Sequence, residues 1–444
     1  MPTPALSAAR MRRNLGVTTL KLANNSVTFD KIQQLEASKF LGRTSSGTGN
    51  PEQINQFLHM RVPGWTDGGY VTNFALLSAY LDGITRSNKN NVSGFNQSTQ
   101  VTVNASFVND KAAYQGGVLH PNGKIYMIPY DATLMATIDP VTDTVDFPIT
   151  ISPSYQVGAY IGGCVTPNGK IVPFNYFSSL VRIIDPANNT VKVIGTIGVD
   201  TTDNTLAGSY YGGALGPNGK VYLSPNPQLG SPPSATGKGG TVFYYIDPVA
   251  ETVVGFATIQ LNGTGTNSGG APSSGRFIAG IDGNIYGGGR FYINPSNNTI
   301  TTFSSSNDFS YPFATLPNGK IMSSGSIFDP FTKTTTIINI PFNSTPFSGN
   351  LLPNGKVMFG PGYSTLVTIV DPENLSVTIV ATVAAPVSTG GTTIPAWYGG
   401  ILAPNGHVYH LPFGSTKFLK ILCNFNNNFN NNVLTNQLTN KSWL

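Results

Sequence analysis

Apolar runs of about four to six residues, punctuated by turn residues, fill most of this chain. One such stretch reads Gly116-Gly117-Val118-Leu119, then Pro121-Asn122-Gly123-Lys124, then Ile125-Tyr126-Met127-Ile128. A Pro-Asn-Gly turn presets φ at its proline, and its glycine takes the left-handed conformation that closes a tight hairpin. A second turn, Ile138-Asp139-Pro140, leads into a new strand start at Thr144-Val145. Two hairpins make four antiparallel strands, A to D.

The same unit recurs. The first turn returns at Pro167-Asn168-Gly169-Lys170, Pro217-Asn218-Gly219-Lys220, Ile281-Asp282-Gly283-Asn284, Pro317-Asn318-Gly319-Lys320, Pro353-Asn354-Gly355-Lys356 and Pro404-Asn405-Gly406-His407. The second returns at Asp185-Pro186, Asp247-Pro248, Asn294-Pro295, Asp329-Pro330 and Asp371-Pro372, and is missing from the seventh unit. Repeats of this length made of short strands predict propeller blades, and seven copies predict seven. The expected fold is all-β: a seven-bladed β-propeller over residues 98–444, preceded by a small mixed N-terminal attachment and oligomerisation module. The glycine pairs Gly116-Gly117, Gly162-Gly163, Gly212-Gly213 and Gly399-Gly400 suit crowded inner strands.

Residues 1–16 show no periodicity and read as an arm, 17–60 as a module, and 61–97 as a short helix and linker. Thr28 can cap a helix from Phe29 to Phe40. A second helix is expected from Asn73 to Ile84, where Phe74, Leu77, Leu81 and Ile84 form a short seam. The alternating stretch Gln100 to Phe107 is expected to supply the D strand of blade seven, entering from the rim of uniform turns; Val433-Leu434-Thr435 competes for that slot.

Only 10% of the 444 residues are charged, so the surface is one of amides and hydroxyls. The net charge of +5 is spread thinly. No basic patch favours nucleic acid, no span suits a membrane, and no secretory signal is apparent. Cys164 and Cys423 are expected as buried free thiols. No cofactor is expected.

The stretch Leu20-Lys21-Leu22-Ala23-Asn24-Asn25-Ser26-Val27-Thr28-Phe29-Asp30-Lys31-Ile32-Gln33-Gln34, continued by Phe40-Leu41-Gly42-Arg43 and Gly47-Thr48-Gly49-Asn50-Pro51-Glu52-Gln53-Ile54, resembles a module of tail-fibre and other virion fibre proteins of phages and large DNA viruses. The resemblance implies a virion location, attachment to other virion proteins through Leu22, Asn25, Ile32, Leu41, Gly42 and Arg43, and a homotrimer. More loosely, Ile183-Ile184-Asp185-Pro186-Ala187-Asn188-Asn189-Thr190-Val191 resembles the repeats of YVTN and quinoprotein-like propellers, which include binding modules and enzymes alike.

Candidate chemistry is sparse. His120 and His407 flank turns, and His407 and His410 have no acidic or thiol neighbours to complete a metal set. The repeated Asp-Pro acids cap their own turns. Asp131, Asp200, Asp203 and Asp308 break the repeat, but nothing in the sequence pairs two of them for glycoside cleavage. The chain is therefore expected to be a binding protein without enzymatic activity, with a propeller enzyme acting on surface polysaccharide as the alternative. The A–B and C–D turns hardly vary, whereas the B–C and D–A loops on the opposite rim do. Diversified loops on a rigid scaffold are where binding sits. Tyr210, Tyr211, Asn226, Trp397 and Tyr398 are the candidate contacts for a host-surface glycan or protein receptor, with packing between blades as the competing role for these aromatics.

Overall fold

A computed structural model describes residues 39–42, 52–55, 92–102 and, apart from several inter-strand loops, 113–425. Two compact units result, residues 1–61 and 62–444. In the first, Lys39–Gly42 pairs antiparallel with Glu52–Asn55, so Phe40 stands opposite Ile54 and Leu41 opposite Gln53. The helix expected from Phe29 thus does not include Phe40. Nor does it include Lys39; its residues 29–38, the helix expected from Asn73, and Leu22, Asn25, Ile32 and Arg43 lie outside the described residues.

The second unit contains seven four-stranded antiparallel sheets. Blade one consists of A (Tyr114–Leu119), B (Ile125–Pro129), C (Leu134–Asp139) and D (Thr144–Thr150). Strand A is buried along its length, while D alternates between exposed positions and half-buried or, at Ile149, buried ones. That gradient follows from the architecture. Inner strands meet both neighbouring blades and must be small and apolar, whereas the outermost strand faces water on one side. The apolar side chains accordingly fill the interfaces between blades, as where Leu119 and Met127 of blade one join Leu402 and Leu411 of blade seven.

Glycine permits the crowding at the inner strands. A Cβ on Gly117 would stand 2.5 Å from Leu411 Cδ1 and 2.8 Å from the Tyr126 carbonyl oxygen, and one on Gly213 would stand 2.7 Å from the Tyr222 carbonyl oxygen. A backbone oxygen cannot swing away, so these positions exclude any side chain.

Both repeated turns prove to be halves of one inter-blade clasp. The turn asparagine first bonds within its blade, Asn405 Nδ2 donating to Tyr409 Oη at 2.9 Å. It then reaches the Asp-Pro turn of the next blade, donating to the Pro140 carbonyl at 2.7 Å. Tyr409 adds a 2.6 Å bond to Asp143 Oδ1. The arrangement repeats where Asn218 meets Pro295 at 2.9 Å and Tyr222 meets Asn298 at 2.7 Å. Asp143 and Asn298 hold left-handed backbone (φ 56° each), which turns their side chains toward the neighbouring blade.

Blade seven closes the ring. Its C strand, Lys417–Phe425, runs straight through Cys423, where the other blades turn, and pairs with an N-terminal strand, Val92–Thr102. The register sets Val92 opposite Phe425 and Thr102 opposite Lys417. The closing strand therefore enters from the uniform-turn rim, as expected. It begins earlier than the expected Gln100, taking in a segment whose Asn and Ser content reads as linker. A D strand has no sheet beyond it, so polar residues carry little cost there.

Candidate binding site at the axial mouth

The variable rim is built up from the point where strand B ends. In blades one, two and seven the next residue is aromatic: Tyr130, Tyr176 and Phe413. Each is fixed by the same backbone bond to an alanine at the entry to strand A, Tyr130 N to Ala113 O at 2.9 Å, Tyr176 N to Ala159 O at 3.0 Å and Phe413 N to Ala396 O at 3.0 Å. Three adjacent blades thus present rings at one level, and the rings touch. Phe413 stands edge-on to Tyr130 with centroids 5.4 Å apart, and Tyr130 lies 5.8 Å from Tyr176. Phe177 extends the row at 4.1 Å from Tyr176, and Tyr398 joins its other end at 5.5 Å from Phe413.

Arg276 ends this arc at the axis. It precedes strand A of blade four, yet its guanidinium carbon lies 5.1 Å from the ring centre of Phe313 in blade five and 5.6 Å from that of Tyr398 in blade seven. A side chain that reaches from blade four to blade seven crosses the mouth of the ring. Cation–π contact with two rings holds its donors in place.

The arc is shaped by polar supports. Asp131, mostly buried, accepts the Gly158 N–H at 2.7 Å and so ties blade one to the segment entering blade two. This is a positioning task. Asp200, Asp203 and Asp308 lie outside the described residues. Deeper in blade two, Arg182 donates to Tyr160 Oη, and Asn175 Nδ2 donates to the Ser178 and Leu180 carbonyls at 2.7 and 2.9 Å.

The candidate contacts from the sequence divide. Tyr398 belongs to the arc. Tyr210 and Trp397 are buried, and their polar atoms bond to strand C of their own blades, Tyr210 Oη to Val242 O at 3.2 Å and Trp397 Nε1 to Lys417 O at 2.8 Å. Tyr114 and Tyr160 make the same bond, to Leu134 and Leu180. The first aromatic of strand A is thus a brace, and neither Tyr210 nor Trp397 offers a ring face at the rim. Tyr211 lies within strand A of blade three, Tyr210–Leu215, and Asn226 lies outside the described residues. Asn226 follows Pro225 as Tyr130 follows Pro129 and Phe413 follows Pro412. Tyr130, Tyr176, Phe177, Phe313, Phe413 and Arg276 went unread; the signal for three of them was an aromatic directly after strand B.

The remaining candidates settle into structural roles. Both cysteines are buried and free, and burial pushes the Cys423 thiol up to about 12. His120 Nε2 bonds the Gly169 carbonyl at 2.8 Å, linking blades one and two. His407 Nδ1 accepts the Cys423 N–H at 3.2 Å. Among the described residues no group of three or more His, Cys, Asp or Glu could hold a metal ion.

No protein-family pattern matches the chain, and no curated protein matches it in sequence. Solved structures do share its fold. Streptogramin B lyase superposes with a TM-score of 0.52 at 12% identity, covering 74% of this chain and 98% of the lyase. A catalytically inactive histidine variant of virginiamycin B lyase from Staphylococcus aureus, solved with quinupristin, gives 0.52 at 14% identity over 73% of this chain and 98% of that one. Kuenenia stuttgartiensis hydrazine synthase gives 0.51 at 14% identity over 75% and 100%. At such identities the likeness establishes the fold, a seven-bladed propeller. It also corrects the expectation of a chain without enzymatic activity, because structures that share this architecture include lyases. Nothing in these comparisons points to a virion role.

Proposed function

We propose that this chain is a glycan-engaging propeller whose working surface is the aromatic arc at the axial mouth. The observation that carries this reading is the run Arg276, Tyr398, Phe413, Tyr130, Tyr176 and Phe177, contributed by blades four, seven, one and two, in which Tyr130, Tyr176 and Phe177 are half-buried and the other three are buried. Flat rings stack on the apolar faces of sugars, and a guanidinium supplies several N–H donors in a fixed fork for hydroxyl or acidic oxygens. The charge-poor surface suits a protein that works among polysaccharides. The N-terminal resemblance to fibre modules supports a place in a virion appendage, as a trimer joined to other virion proteins and offering its propeller to a host-surface glycan. In the same reading the bound glycan is a candidate for cleavage, since the fold accommodates lyases.

The test uses the full chain on immobilised polysaccharides, with neutral and acidic polymers side by side, while new reducing or unsaturated ends are followed in the same samples. Binding that falls at least tenfold in Tyr130→Ala, Tyr398→Ala and Arg276→Ala, but not in Phe331→Ala on the opposite rim, supports the assignment. Equal binding by all four variants overturns it. New chain ends that appear with the native protein and vanish with Arg276→Ala add catalysis to binding.

A further inference from the structure

Three of the seven interfaces between blades share a packing pattern that the one between blades six and seven replaces with a polar group. At each of three seams a large apolar residue of strand B sits over the second glycine of the next blade: Ile128 over Gly163, Phe174 over Gly213 and Leu411 over Gly117. Strand B residues opposite those glycines are Pro173, Leu223 and Met127, all apolar. Between blades six and seven the overlying position is Gly360, and the residue opposite Gly400 is His410. Removing the large side chain opens room, and the imidazole takes it. A Cβ on Gly360 would overlap His410 Cε1 and Ser348 Oγ.

Around the imidazole this otherwise apolar seam turns polar. His410 is 0% exposed, Ser348 0% and Asn350 5%. His410 Nδ1 lies 3.2 Å from the Gly399 carbonyl oxygen and 3.4 Å from Ser348 Oγ. A carbonyl only accepts, so Nδ1 carries the proton and Nε2 presents a bare lone pair. Burial keeps the ring neutral, with its pKa lowered to about 4. Nε2 has no partner among the described residues, and neither has Asn350 Nδ2, a donor. Asn350 Nδ2 and His410 Cε1 lie 2.5 and 2.8 Å from one point, the place a Cβ of Gly400 would occupy. Buried donors and acceptors in folded proteins are almost always paired, and an isolated pair of opposite kind calls for a ligand of matching kind.

We propose that the seam between blades six and seven is a binding site for one neutral hydroxyl group, which donates to His410 Nε2 and accepts from Asn350 Nδ2. An anion is repelled by the imidazole lone pair, and a cation finds no carboxylate among the residues that form the seam. A hydroxyl fits both atoms. Its source is either water or the alcohol group of a small polyol. The assignment does not rest on the aromatic arc or on its proposed ligand.

High-resolution crystals of the full chain, grown in plain buffer and soaked separately with glucose, decide between these sources. A single peak at hydrogen-bonding distance from both atoms in buffer identifies water. A peak that appears only after soaking, and is continuous with a sugar ring, identifies the polyol. No peak in either crystal, or either atom bonded instead to protein, overturns the proposal. In solution, nitrogen-15 labelling of the native chain provides a second readout. The His410 Nε2 resonance should lie at the position of a hydrogen-bonded acceptor, and the position of an unbonded lone pair would refute the site.

Discussion

Asn405 and Pro140 stand 265 positions apart in sequence and are joined by a 2.7 Å hydrogen bond from the side-chain amide to the backbone carbonyl. With Tyr409 and Asp143 beside them, they fasten the last blade to the first. Lys420 strengthens the joint through a mostly buried ion pair with Asp143 at 2.7 Å. Asn405→Ala removes the shorter of the two bonds to the proline carbonyl, leaving only the 3.3 Å contact from Tyr409 Oη, a loss of about 1–3 kcal/mol. Asn318→Ala is the control, since the bond shown for Asn318 is to its own turn, at Lys320 N. Thermal melting should show the larger drop for Asn405→Ala; equal drops would mean that the clasp adds nothing to the turn.

The inner-strand glycines give a second expectation. Gly117→Ala drives a methyl group against Leu411 and the Tyr126 carbonyl, and strain of this kind costs about 1–3 kcal/mol or more. Gly123→Ala places its methyl in open space but at a backbone φ of +85°, where the penalty is about 1 kcal/mol. Chemical denaturation should rank Gly117→Ala as the more damaging of the two.

Acid should weaken the protein through His410. Its folded pKa of about 4 lies below the ordinary value of 6.5, so between these values the unfolded chain binds more protons than the folded one. Stability from this group is complete above about pH 6.5 and falls as pH drops toward 4, by about 3 kcal/mol in all. His407 shifts in the same direction from burial and the nearby Lys420, so the comparison must retain it. Melting temperatures of the native chain and of His410→Leu, taken from pH 7 to pH 4, should converge as the pH falls. Parallel curves would contradict the assignment.

Ring closure by the N-terminal strand predicts how truncation behaves. A chain beginning at Val62 keeps the closing strand and should melt as one cooperative unit. A chain beginning at Asn104 lacks it and leaves the edge of Lys417–Phe425 bare, a template for pairing between molecules. Size-exclusion chromatography should show it aggregating, and a well-behaved monomer would show that the strand is dispensable.

The blades were legible because their turns repeat a chemistry that only a few conformations satisfy. Pro-Asn-Gly and Asp-Pro each announce a hairpin locally, and Gly116-Gly117 announces crowding. The clasp joining the two turns was not legible, because its partners belong to different repeats and only the closed ring brings Asn405 to Pro140. The aromatic arc was half visible. Tyr398 stood out through its place before strand A, but the same cue also selected Tyr210 and Trp397, which hydrogen bonds to strand C turn into braces. Tyr130 and Phe413 fall just after strand B, where an aromatic looks like the end of an apolar run. The closing strand was found a few residues late, since hydrophobic alternation is a weak guide where one face meets water.

The order of synthesis gives the closing strand a further meaning. Val92–Thr102 is the first piece of the propeller to leave the ribosome, and its partner Lys417–Phe425 is the last. Every nascent chain therefore carries an unsatisfied strand until Lys417–Phe425 has been made, and a chain that stops before it can never seal its circle. Closure thus acts as a check on the propeller itself: only a ring sealed by both strands brings blades seven, one and two together to form the arc.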